Sequence, residues 1–163
     1  MRRIIYDQSS DTLYLSGYLK GEEIDSWGVT GKTLRCYDAW RSGAKKVRWT
    51  IKLPRNPAGN DQGKPLSPQC LAFAGDYLFV GMVKSDDGKQ HVHIHSIAAG
   101  SYVDSFVPGP EVGGNAGWED MPYAVAALKR KNGAYLVLVE EDWRGKSLLY
   151  RWTPANQSNP DEP

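Results

Sequence analysis

Short apolar runs alternate with turn-forming residues along the whole chain. The cleanest run is Lys46–Leu53. Val47, Trp49, Ile51 and Leu53 share one side of an extended backbone, and Lys46, Arg48, Thr50 and Lys52 share the other. That period of two predicts a half-buried β-strand. The same reading predicts strands at Arg3–Asp7, Thr12–Leu19, Thr33–Trp40, Gln69–Ala74, Tyr77–Lys84, Gln90–Ile97, Ser101–Val107, Tyr123–Lys129, Ala134–Glu141 and Lys146–Thr153. Turn chemistry separates them: Gln8–Asp11, Gly75–Asp76, Asp87–Gly88, Ala98–Gly100 and Asn132–Gly133. No segment has the apolar spacing of an amphipathic helix.

The strands fall into groups. A strand–turn–strand unit recurs as TLYLSGYL at 12–19, YLFVGMVK at 77–84 and AYLVLVEE at 134–141. Each copy follows a short apolar strand and a polar turn. Two long polar breaks, Pro54–Pro68 and Gly109–Pro122, divide the chain into blade-like units at 3–53, 69–107 and 123–153. The expected fold is a single all-β domain, 1–153, of repeated four-stranded antiparallel sheets. Residues 154–163, rich in Pro, Asn, Asp and Ser, read as a disordered tail.

The segments Asp11–Gly17, Gly75–Gly81 and Asn132–Val139, each preceded by a short strand, resemble the inner hairpins of β-propeller repeat proteins. The resemblance implies a partial β-propeller of about three blades. Closed propellers have four to eight. A three-blade chain is therefore expected to be a section of a larger propeller or to self-associate. A β-sandwich or barrel is the alternative fold.

Composition narrows the class. With 40% hydrophobic and 24% charged residues, the 163-residue chain can bury a core. The net charge of +1, with only short basic groups at Arg2–Arg3 and Lys129–Arg130–Lys131, gives no stripe for nucleic acid. No apolar stretch suits a membrane helix or a signal peptide. A secreted protein with its leader removed would read the same way. Cys36 and Cys70 both fall in strands, as buried free thiols do; a bridge between them would imply an oxidising compartment.

Four constellations could carry chemistry. His91, His93 and His95 are all the histidines of the chain and share one face of a strand. Neighbours in the row lie about 6–7 Å apart and the outer pair about 13 Å apart. Two of them could hold zinc or another divalent metal with a further ligand from Asp86, Asp87 or Glu140. Equally, they could form the wetter side of a strand whose Val92 and Ile94 face the core, or pack between sheets. The second constellation is Trp118, Glu119 and Asp120 behind the glycines Gly113, Gly114 and Gly117. There an aromatic platform adjoins hydroxyl-binding acids. Glu119 and Asp120 are adjacent and diverge in an extended chain, so they make a poor acid–base pair for glycoside hydrolysis. The third is Glu140, Glu141, Asp142 and Trp143. The fourth is the loop aromatics Trp27, Trp40, Trp118 and Trp143, with Trp49 and Trp152 expected in the core.

No phosphate-binding loop, nucleotide fingerprint or hydrolase elbow is present in the sequence, and no catalytic residue stands out. The leading expectation is carbohydrate or polar-ligand binding through Trp118, Glu119, Asp120, Glu141, Asp142 and Trp143, within or beside a carbohydrate-active enzyme. A metal-dependent lyase or hydrolase using the histidines, and a structural or protein-interaction module, are the alternatives.

Overall fold

The computed structural model of the chain describes residues 3–17, 33–52, 68–82, 91–108, 122–141 and 147–155. Within them run eleven strands: β1 (Arg3–Asp7), β2 (Thr12–Gly17), β3 (Thr33–Asp38), β4 (Lys46–Lys52), β5 (Pro68–Ala74), β6 (Tyr77–Met82), β7 (His91–Ser96), β8 (Tyr102–Phe106), β9 (Pro122–Lys129), β10 (Tyr135–Glu141) and β11 (Ser147–Trp152). They form three antiparallel meanders, β1-β2-β3-β4, β5-β6-β7-β8 and β9-β10-β11. The fold is all-β, made of three repeated small antiparallel sheets, and none of the three closes into a barrel. No helix among the described residues is long and apolar enough to cross a membrane.

Strand ends follow local chemistry. β3 stops at Asp38, two residues short of the expected Trp40, because Ala39 takes φ 52° and turns the chain. β7 stops at Ser96, because the amide of Ile97 leaves the ladder to donate to the Asp76 carbonyl (2.9 Å). β5 opens on Pro68, which lacks an amide donor and is tolerated at a first position.

The sheets stack face to face. Tyr14, Leu34, Cys36 and Trp49 of the first sheet meet Leu78, Val80 and Met82 of the second. On its other face the second sheet presents Phe79, Val92 and Ile94 to Tyr135, Val137, Val139 and Trp152 of the third. Alternation along β6 therefore sends Leu78, Val80 and Met82 one way and Phe79 the other, and both directions are dry. Each such side chain is worth roughly 1.5–3 kcal/mol of burial. Trp49 and Trp152 are in the core as expected. Cys36 and Cys70 are buried free thiols, and burial pushes the Cys36 thiol up to about 11.

Asp11, Asp76 and Trp49 tie the tight turns together. Asp11, at φ 50°, accepts from the amides of Arg41 (2.8 Å) and Ser42 (3.0 Å), the Ser42 hydroxyl (2.7 Å) and the Tyr6 hydroxyl (2.9 Å). Those donors, the Arg41 amide foremost, hold its carboxyl well below the usual range. The indole of Trp49 donates to the Ile97 carbonyl (2.8 Å), joining the first sheet to the second. Lys129 bridges to Asp76 (2.9 Å), joining the second to the third.

Gly100 lies under Trp49 at φ +73°. A Cβ there would come within 2.7 Å of the indole Cδ2 and 3.2 Å of Ile51 Cγ2. Gly100→Ala is therefore expected to destabilise the chain by about 2–4 kcal/mol, combining backbone strain with overpacking. Gly43, at φ +119° with open space around it, should lose only the strain of about 1–2 kcal/mol on the same change. Urea denaturation of the two variants checks this, and equal losses would refute the packing role of Gly100.

Candidate functional site

The connections between strands are of two kinds. Five are tight: Asp7 to Thr12, Asp38 to Lys46, Ala74 to Tyr77, Ser96 to Tyr102 and Lys129 to Tyr135. The other five leave from Gly17, Lys52, Met82, Phe106 and Glu141; those after Gly17, Lys52 and Phe106 are each 15 residues long, and that from Glu141 to Ser147 is as short as that from Lys129 to Tyr135. The hydrogen bonds just described link the tight turns in a chain, from Asp11 with Trp40 and Ser42, through Trp49 with Ile97 and Ile97 with Asp76, to Asp76 with Lys129. All tight turns thus gather at one end of the stack. In an antiparallel meander the remaining connections must leave from the other end, about 20 Å away for six-residue strands.

That loop end is where the sequence placed its ligand residues. Trp118, Glu119, Asp120, Asp142 and Trp143 lie outside the described residues, as do Asp86, Asp87 and Trp27. The strands bracketing them do not. Glu141, the last residue of β10, is the register partner of Pro122, the first of β9, after an irregularity between Glu140 and Glu141. The Glu119–Asp120 segment runs into Pro122, and Asp142 follows Glu141 directly. Trp40 is a different case. It sits in the β3–β4 turn, its amide donating to the Asp11 carbonyl (3.1 Å), its ring edge-on to Tyr37 and beneath the Lys45 ammonium. Trp40 does lie in a connection, as expected, and that connection is at the tight-turn end.

The histidine row occupies β7. His91 is at the loop end, opposite Met82; His93 pairs with Val80, and His95 with Leu78. Since Val80 and Leu78 face the first sheet, so do the histidines, while Val92 and Ile94 face the third. This side of the strand is dry rather than wet: His91 is 7% exposed and His93 and His95 are fully buried. Ring centroids are 6.0 Å apart for His91–His93 and 6.2 Å for His93–His95, and the Tyr102 ring stands edge-on to both His93 and His95. His95 Nδ1 lies 3.0 Å from the Gly100 carbonyl. A carbonyl only accepts, so Nδ1 carries the proton and Nε2 is bare. His95 Nε2 and both nitrogens of His93 have no hydrogen-bond partner.

Burial dominates their ionisation. Desolvation, then the neighbouring His95 and His91, lower His93 to about 3. Desolvation also lowers His95, partly offset by the Gly100 carbonyl. Both rings are therefore neutral at ordinary pH. Glu140 is exposed on the outer face of the third sheet, with the second sheet between it and the row. No group of three or more His, Cys, Asp or Glu side chains among the described residues is arranged to hold a metal ion. Tyr102, which walls the row, was not singled out in the sequence. Its only signal there is the Ala98–Gly100 turn, which folds Tyr102 back opposite His95.

No family model matches the chain, and no curated protein matches it. Among solved structures it is similar to the tail fiber of Staphylococcus aureus phage P68, with a TM-score of 0.50 and 14% identity over 94% of this chain. The match spans 28% of the phage protein's length. At that identity the likeness is one of fold.

The buried row sets an acid dependence. Unfolded His93 takes a proton near pH 6.5, whereas the folded residue stays neutral down to about pH 3. Its contribution is whole above pH 6.5 and is lost as pH falls from there toward 3, at about 1.4 kcal/mol per unit. His93→Leu is expected to be neutral or stabilising at pH 7.5 and to remove roughly 2–3 kcal/mol of the loss seen by pH 4.5. Urea midpoints of both proteins across this range test it, and parallel pH profiles would exclude the assignment.

Proposed function

We propose that the chain is a propeller-type binding module that holds an extended or ring-shaped polar ligand, best matched by a carbohydrate, at its loop end. The observation that carries this reading is the pairing of Pro122 with Glu141. It ends β9 and β10 side by side, so that the segments bearing Trp118, Glu119 and Asp120 and bearing Asp142 and Trp143 depart from neighbouring strands. Aromatic faces beside carboxylates suit a sugar, since the ring stacks on the indole and its hydroxyls donate to the acids. A scaffold whose tight turns gather at one end and whose other end carries its longest connections is the usual setting for a loop-borne site.

The histidine row we assign to packing. It lies between two sheets, walled by Tyr102 and buried among the described residues. The likeness to a section of a phage tail fiber is compatible with a module working inside a larger assembly.

Titration of the intact chain with a panel of neutral and acidic oligosaccharides, read by tryptophan fluorescence and calorimetry, tests the proposal. Trp118→Ala and Trp143→Ala are each expected to weaken binding about tenfold or more. Trp40→Ala, at the far end, should leave it unchanged. A response to no sugar in the panel, or equal loss on changing Trp40, would sink the reading.

A further inference from the structure

The two outer faces of the stack carry exposed apolar side chains beside polar ones. On the third sheet, register sets Leu138 between Ala126 and Leu149, and Leu136 beside Leu128. Leu128 is 61% exposed, Leu138 43% and Leu149 64%. On the first sheet, Ile4 lies beside Leu15, Tyr6 beside Leu13, and Leu13 beside Tyr37. These side chains point away from the core that Ile5 and Tyr14 join, and Ile4 is 65% exposed. A stack that ends in solvent closes with polar outer faces. The ends of this one are mixed instead: Leu15 shares the first sheet's outer face with Arg35 and Thr50, and Leu136 and Leu138 share the third sheet's with Arg151 and Glu140.

The second strands say what these faces are built for. β6 is apolar on both sides and buried on both. β2 and β10 carry the same two-sided apolar run, LYL and YLVLV, yet each has a second sheet packed on one side only; on the other side Leu13 is 6% exposed among neighbours of its own sheet and Leu138 is 43% exposed. At both existing junctions, one sheet offers the face bearing Tyr14 or Phe79. The next offers the face bearing Leu78 and Val80, or Tyr135 and Val137. The open face of the third sheet, with Leu136 and Leu138, is of the first kind. The open face of the first sheet, with Leu13 and Leu15, is of the second kind. The two are complementary by the packing the molecule already uses twice. Within one chain they cannot meet, because the second sheet stands between them.

The geometry points to a head-to-tail pair of copies of this chain, in which the third sheet of each packs on the first sheet of the other. Two such junctions join six sheets and leave no face open, a number within the range of closed propellers. A heterologous contact that closes in this way forms a ring rather than a filament.

Sedimentation analysis of the full chain is expected to give twice the 18.1 kDa chain mass. Leu149→Glu and Ile4→Glu each place a carboxylate in both junctions of a homodimer, and each is expected to sediment at 18.1 kDa with an unchanged far-UV circular dichroism spectrum. Leu128→Glu is the substitute if Leu149→Glu fails to fold. An equimolar mixture of the Leu149→Glu and Ile4→Glu chains is expected to pair again, because one junction of the mixed pair then carries neither change. A wild-type mass of 18.1 kDa, a dimer that survives Ile4→Glu, or a mixture that stays at 18.1 kDa overturns head-to-tail pairing.

Discussion

The inner strands of the second sheet, β6 and β7, have no solvent-facing side, and the rest of the molecule is arranged around that constraint. β6 contributes Leu78, Val80 and Met82 to one core and Phe79 to the other, so neither flanking sheet can leave without exposing a wall of fully buried side chains. Ladder hydrogen bonds hold each sheet together internally. Between sheets, burial is the dominant attraction, and the polar contacts from Trp49 to Ile97 and from Lys129 to Asp76 act chiefly to fix alignment. The Lys129 pair is largely exposed and adds little energy of its own.

Against that economy the histidines are an oddity. They stand where apolar side chains would pack as well, and three ring nitrogens are left without partners, each costing on the order of 1–3 kcal/mol. What the rings offer in return is shape: a row of flat groups about 6 Å apart, met edge-on by Tyr102. Aromatic edges and faces attract one another, and a neutral imidazole behaves in this setting as a small aromatic. The arrangement trades solvation for close fit and ties the first junction to the charge state of its own core.

Much of the architecture was legible in the chain. Period-two alternation in Lys46–Leu53 and the turns at Gly75–Asp76 and Asn132–Gly133 are local signals, and local signals are what a sequence displays directly. The strand pairings followed, because a tight turn fixes which residues face each other. What covers each face was not legible. The alternation in β7 shows that three histidines share a side, but not that Tyr14, Leu34 and Cys36, distant in sequence, line the sheet laid across that side. Nor was it legible which end of the stack is occupied by Trp40. Its composition suits a binding loop, and only the turn made by Ala39 and the bond to Asp11 reveals which end it occupies. For the candidate ligand residues, the sequence supplied the types, and the pairing of Pro122 with Glu141 supplied the neighbouring strand ends that carry them.

The separation of short turns from long connections divides the molecule into a part that resists change and a part that can accept it. Lengthening a flexible connection costs only about 0.6 kcal/mol of closure entropy per doubling, and the loop-end segments join strands whose registers are already fixed by their own ladders. Insertions or exchanges there leave both cores and the knot of turn contacts untouched. At the opposite end, a single added residue between Ala74 and Tyr77 would displace Asp76 from both Ile97 and Lys129. The loop end can therefore change among descendants of such a chain while its stability is inherited almost unaltered.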